Sequence, residues 1–361
     1  MDNYDDIRPY NDAETAAALK RASNNRLMEQ ISAFLFPGKD PDILRNTLNT
    51  IHGVDDFQTR VMYPAVRSIL GKTTKGLSYD GLEWFEGGKT YTMLSSHRDI
   101  VLDSAFIQYI FKDNGLPLSE IAVGDNLIYN QFVEDLMRSN RMIKVIRGIS
   151  ARELYLSSQV LSKYIRETIT SGKGSVWIAQ RQGRTKDGID VTEQGLLKMF
   201  DMSGTGDFVQ NFLELNIVPL SISYEYEPCD ILKAREILIS RTQKYVKTEN
   251  EDLQSIMVGI KQKKGNVHLN FGDPLTEDEI RDASVCDKND RYQMIRHAVD
   301  VRVIGGYKLW NTNYIAYDLA NHTFKYSDRY TPEEVEAFTG YTEHQLDQVE
   351  PTLNRADLRD I

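Results

Sequence analysis

The chain has 361 residues, 41% of them hydrophobic and 27% charged, and its 53 acidic against 43 basic residues give a net charge of −10. That balance argues against a general nucleic-acid binder and requires any anionic ligand to meet a local cluster of cations. Cys229 and Cys286 are too few for a disulfide framework, the start Met1–Asp6 is acidic, and no apolar run approaches the roughly 18 residues of a membrane span, so a cytoplasmic protein is expected.

The first 75 or so residues read as helical. Stretches 13–22, 26–36, 40–51 and 55–70 each place apolar residues at helical spacing, and 72–76 closes the segment as a turn. Leu27, Ile31, Phe34, Leu35 and Phe36 form an apolar face that suits packing on the body and, alternatively, a membrane surface. From Tyr91 onward, short strand-like runs alternate with helix-like stretches. Runs 91–95, 121–123, 142–146, 175–179, 217–224 and 266–271 predict strands; 130–138, 150–170, 192–201, 230–245 and 251–261 predict helices. This alternation predicts an α/β fold, a mostly parallel sheet covered by helices. After Asp273-Pro274 the pattern returns to helix, with 292–319 longest and broken at Gly305-Gly306. The expected division is an N-terminal helical region at 1–75, an α/β domain at 76–274 and a C-terminal helical extension at 275–361.

Ligands of open α/β sheets collect where strands turn into helices. Four such turns are rich in polar chemistry. The first is Ser95-Ser96-His97-Arg98-Asp99-Ile100-Val101-Leu102-Asp103, where a neutral imidazole can accept a proton and a carboxylate can orient the ring. Asp99 is equally suited to capping the next helix. The second, Gly124-Asp125-Asn126-Leu127, leads to Arg138, Arg141, Lys144 and Arg147, a basic run without an acid in an acidic chain. The third is Arg181-Gln182-Gly183-Arg184-Thr185-Lys186-Asp187-Gly188, whose arginines could hold a phosphate bidentately or merely face solvent. The fourth is the strand Val218-Pro219-Leu220-Ser221-Ile222-Ser223-Tyr224. A kinase reading of His97-Arg98-Asp99 fails: Ser104 stands where the pattern needs Asn, and no Gly-rich loop precedes it. The histidines and cysteines show no metal-ligand spacing.

Taken in order, the four turns resemble those of the glycerophospholipid acyltransferases, which include the glycerol-3-phosphate and 1-acylglycerol-3-phosphate acyltransferases. His97 to Asp103 is similar to the family's His-and-Asp block, with five intervening residues instead of four, so the acid is Asp103 or, less readily, Asp99. Gly124 to Leu127 with Val145-Ile146-Arg147 is similar to the second block, and Gly183 to Gly188 to the third, where Arg181 aligns with the family's Glu. Ile217 to Tyr224 is similar to the fourth, and Asp6 to Asp12 resembles the opening of a bacterial branch.

The resemblance implies transfer of a fatty acyl group from acyl-CoA or acyl-carrier protein to a hydroxyl of a glycerol-phosphate-type acceptor, 1-acylglycerol 3-phosphate in the first place. Glycerol 3-phosphate, a non-phosphorylated lyso-lipid and a non-catalytic lipid- or carrier-binding role are the alternatives. It implies His97 and Asp103 as the catalytic pair, and Asn126, Arg147, Gly183, Arg184 and Lys186 as substrate-binding residues. It calls for no metal or redox cofactor, and for a peripheral place on the inner face of the cell membrane.

Overall fold

The computed structural model describes residues 4–148, 150–359 and 361; the acidic start at Met1 to Asn3 lies outside them. Seven strands form one sheet: β1 (Thr74–Asp80), β2 (Thr92–Ser95), β3 (Glu120–Gly124), β4 (Met142–Val145), β5 (Val176–Ala179), β6 (Ile217–Tyr224) and β7 (Gly265–Phe271). Their order is β1-β7-β6-β2-β5-β3-β4. The strands from β6 to β4 in that order run parallel, whereas β7 pairs antiparallel with β6 and carries β1 alongside it. The mostly parallel, helix-covered sheet expected from the sequence is present.

Both faces are buried, which is why the central strands read as continuous apolar runs. Alternate side chains go to opposite faces. Leu94, Val176, Ile178 and Ile217 join one core with helices Ala151–Thr170, Gln194–Asp201 and Asp290–Gly305. Met93, Trp177, Val218 and Leu220 join the other, beneath helices Tyr63–Thr73 and Leu102–Asp113.

Pro219 sits inside β6, where a missing N–H would break a central ladder. Its carbonyl accepts from Gly272 N at 2.9 Å, and a residue's N–H and C=O share one side of a strand. The absent donor therefore faces β7 just beyond Phe271, where that pairing has already ended.

The expected turn at 72–76 is corrected: helix Tyr63–Thr73 runs directly into β1. As an edge strand, half-exposed and carrying Lys75 and Gly76, β1 shows no apolar run for periodicity to detect. The long helical pattern near the end divides at its glycine pair into Asp290–Gly305 and Asn311–Asn321.

The N-terminal helices close on Leu19, Met28, Leu44, Leu48 and Phe57. Ile31 and Phe36 pack against that cluster, while Lys72 and Lys261 lie over the Phe34 ring at 5.5 and 5.7 Å. The apolar face of helix Met28–Leu35 is thus turned into the body, the more economical of its two readings. Helix Asp12–Ser23 begins with a capping box between Asn11 and Glu14. Arg8 grips the same carboxylate bidentately at 2.7 and 2.8 Å, and holds its pKa down at about 2. A depressed carboxyl pKa contributes stability above the ordinary value of 4.5, which is lost as pH falls toward 2. Glu14→Gln, which keeps a capping oxygen, should lower the thermal midpoint modestly at pH 7, because the Glu14 side chain is 38% exposed and screened. That difference from wild type should vanish in melts recorded near the acid limit.

Candidate active site

β2 and β5 are neighbours, yet the helices that follow them leave on opposite faces of the sheet. That is a topological switch point, and the crevice it opens beyond the strand ends is where such sheets hold ligands. His97 lies there, two residues past β2. Its carbonyl accepts from Thr185 N at 2.8 Å, which joins the turn after β2 to the turn after β5. The edge of its ring meets Trp177, with centroids 5.8 Å apart, and Trp177 is itself fixed by a 3.0 Å bond to Ser95 Oγ.

Asp103, in the first turn of helix Leu102–Asp113, is fully buried. Its Oδ2 lies 2.9 Å from His97 Nδ1 and also accepts from Arg98 N at 2.6 Å and Asp99 N at 2.9 Å. Its Oδ1 accepts from Tyr224 OH at 2.8 Å. Burial alone would raise the Asp103 pKa; the hydrogen bonds and charge of His97, with the remaining donors, bring it below the usual carboxylate value. An ionised Asp103 makes Nδ1 the protonated nitrogen of a neutral His97, leaving the Nε2 lone pair for a substrate proton. The His97 side chain stays 15% exposed, so the pair opens to the crevice.

The two acids make different contacts. Asp99 Oδ1 accepts from Val101 N and Leu102 N at 2.9 and 2.8 Å, the capping role, and Asp103 takes the imidazole. Burial and the neighbouring Asp103 raise the Asp99 pKa. Its Oδ2 lies against Gly259, where a Cβ would come within 2.1 Å, so only glycine lets helix Glu251–Lys261 close over this turn.

The predicted cations divide into two groups. Arg138 bonds to the backbone of Asp5 and Arg8 and pairs with Glu134; Arg141 pairs with Asp55, and Lys144 with Glu134. Arg138 and Arg141 tie the N-terminal segment to the sheet, and Lys144 pairs with the helix just before its strand, so all three are engaged by acids of the chain. Lys186 likewise closes an ion pair with Glu236, and Asn126 reaches only the exposed Asp252, at 3.4 Å. Among the described residues, neither Arg147 nor Arg184 has an ion-pair partner within 4.0 Å. Arg147 lies over Gly124 at the end of β3, and burial lowers its pKa. Arg184, next to Thr185, is half-buried with its Nη1 buried and unbonded. Gly183 supplies the left-handed backbone, φ 76°, that turns the chain into it.

Pattern reading missed the residues that hold the turn. Arg98 bonds to Asp190 at 2.5 Å and lies over the Tyr307 ring at 5.3 Å; Tyr307 OH and Thr185 Oγ1 also donate to Asp190. Lys233 donates to the Arg98 carbonyl at 2.7 Å. Apart from the local Thr185–Asp190 bond, these contacts carry no local signal, since their partners come from distant parts of the chain. A small cleft of about 60 Å³ runs along helix Leu102–Asp113. Val101 and Ser104 line its upper end and Met62, Tyr109, Leu118 and Met142 its walls.

With this geometry in place, the chain can be compared with known proteins. Bovine dihydroxyacetone phosphate acyltransferase is 26% identical over 185 residues, 51% of this chain and 26% of that protein. The mouse enzyme of the same name gives the same identity and coverage. The likeness is to glycerophospholipid acyltransferases. The match spans about a quarter of the length of these curated relatives. No family model matches the sequence. The crystal structure of the 1-acyl-sn-glycerophosphate (LPA) acyltransferase PlsC from Thermotoga maritima superposes with a TM-score of 0.42 at 11% identity, covering 83% of this chain and 97% of that one.

Two measurements check the pair. Imidazole nitrogen NMR should show His97 as the Nδ1–H tautomer at neutral pH, and Asp103→Asn should abolish that preference. Tyr224→Phe should cost about 1–3 kcal/mol in denaturant unfolding, the penalty for removing a donor from a buried carboxylate.

Proposed function

We propose that the protein is an O-acyltransferase that moves a fatty acyl group from a thioester, acyl-CoA or acyl-carrier protein, to a hydroxyl of a three-carbon phosphate ester. The observation that carries this reading is the His97–Asp103 pair at the carboxyl end of the sheet, where the turns after β4 and β5 place Arg147 and Arg184, two arginines without ion-pair partners among the described residues. A half-buried guanidinium without an ion-pair contact keeps its donors available to a ligand, and a phosphate matches their fork.

His97 Nε2 takes the acceptor hydroxyl's proton as that oxygen attacks the thioester carbonyl. The carbon–sulfur bond breaks, and the proton passes from the imidazolium to the leaving thiolate. Asp103 holds the ring and offsets the imidazolium charge while remaining ionised. The cleft along helix Leu102–Asp113 has a mostly apolar lining, the chemistry a hydrocarbon chain would meet. Of the acceptors, 1-acylglycerol 3-phosphate is the first choice; the name of the curated relatives makes dihydroxyacetone phosphate one to assay beside it, with glycerol 3-phosphate third.

Among the described residues no helix is long and apolar enough to cross a membrane. A lipid acceptor would therefore be met at a surface.

Labelled acyl donor offered with each acceptor in turn tests the assignment. His97→Ala should lower kcat by about 10²–10⁴-fold. Activity near wild type in that variant would refute the general-base role. Arg184→Ala should raise KM for phosphorylated acceptors by about tenfold or more, the loss of one charge-assisted bond, and leave an unphosphorylated lyso-lipid unaffected. Equal weakening of both acceptor classes would remove the phosphate grip from the mechanism.

A further inference from the structure

The contacts on the Asp103 carboxylate are divided unevenly between its oxygens. Oδ2 meets His97 Nδ1 and the N–H groups of Arg98 and Asp99, all from its own turn, whereas Oδ1 has the Tyr224 hydroxyl, at 2.8 Å. Tyr224 is the last residue of β6, so a strand places this donor, not the turn it serves. The register of β6 on β2, with Leu220 opposite Ser95, sets how far the strand runs past the His97 turn. Ile222 N donates to Ser96 Oγ at 3.2 Å and ties the strand to that turn one residue before His97. On the other side the Tyr224 ring packs in the core with Phe106, centroids 6.4 Å apart, and Phe106 stands on the helix of Asp103, three residues later. Burial, with Asp103 and Asp99 beside it, raises the phenol's pKa well above its ordinary value, so the group stays an uncharged donor at any working pH.

We propose that Tyr224 is a positioning residue that sets the basicity of His97 through Asp103, its hydroxyl taking up part of the carboxylate's charge so that the imidazole is free to accept a proton. The inference rests on the reading of His97 as general base and adds a residue from outside the turn, one that touches neither substrate nor reacting atoms. An uncharged donor suits this place. A cation there would neutralise Asp103 and leave little charge to favour the imidazolium; an apolar side chain would leave Oδ1 bare in the interior. The hydroxyl favours an ionised Asp103 and hence the unprotonated pair, so without it the pair binds its proton more tightly. The other ionisable groups around this centre are Arg98 and Asp99 in the turn itself, Arg184 after β5, Cys229 and Lys264, whose fields reach Asp99, and Glu227 after β6, which pairs with Lys233. Removing one hydroxyl leaves all of these in place.

In the full chain, Tyr224→Phe should move the proton titration of the His97 ring nitrogens, followed by NMR, to higher pH by about one unit. The acid limb of kcat/KM for acyl transfer should move with it, so that activity on that limb falls about tenfold while the plateau at higher pH changes far less. Tyr224→3-fluorotyrosine, introduced at that position alone, keeps the bond and makes the hydroxyl a stronger donor. It should move both readouts to lower pH, and it tests the proposal without the loss of stability that the phenylalanine variant carries. A hydroxyl with only a structural part would lower turnover evenly across pH and leave the His97 titration where it is. That outcome, or shifts of the same sign in both variants, would overturn the proposal. Titration shifts of opposite sign, in a protein that transfers acyl groups to no acceptor, would uphold the tie between Tyr224 and His97 and remove the enzymatic reading instead.

Discussion

A fully buried carboxylate sets the terms for the rest of the site. Leaving an ionised group uncompensated in an interior costs several kcal/mol, so Asp103 is tolerable only where donors surround it. They come from three places: the backbone of its own turn, the His97 ring and Tyr224 at the end of β6. The turn can bend back to supply two N–H groups only if Asp99 ties down the start of the next helix, and that turn closes only because Gly259 has no side chain. The hydroxyl of Tyr224 arrives only if β6 pairs with β2 in the observed register. Orientation of one imidazole thus depends on sheet register, a helix cap and a glycine contact together.

Around that centre, charge is sorted by whether it is matched. Arg98, Arg138, Arg141, Lys144 and Lys186 are tied to acids and act as struts between segments. Arg147 and Arg184 flank the crevice without such ties. Matched charges hold geometry; unmatched ones at a crevice leave electrostatic work for a ligand to complete. A chain rich in acid can in this way present a site suited to phosphate, because the field a ligand feels is set by its nearest uncompensated neighbours.

Much of this was legible in the sequence where the signal is local. The central strands showed as apolar runs because both sheet faces are covered, and the polar turns showed because they follow those runs. The pairing of His97 with Asp103 was legible because both stand in one short segment. Edge strand β1 was not visible, for its half-wet residues resemble a loop. Nor was the antiparallel entry of β7, which depends on pairing partners far along the chain. The basic run is matched partly from nearby, by Glu134 one helical turn before Arg138, and partly from far along the chain, by Asp55, which no spacing reveals. Tyr224, Asp190 and Tyr307 were hidden for the same reason, being made neighbours only by the fold.

The bond between Tyr307 and Asp190 has a temporal meaning as well as a spatial one. His97 and Asp103 emerge from the ribosome early, but the tyrosine beneath Asp103 follows 121 residues later, and the ring over Arg98 later still. Until the C-terminal helices have docked, the turn that carries His97 lacks the Tyr307 part of its support. The support of this turn is therefore completed from the end of the chain: without its last third, Arg98 and Asp190 lack the Tyr307 ring and hydroxyl that pack on them.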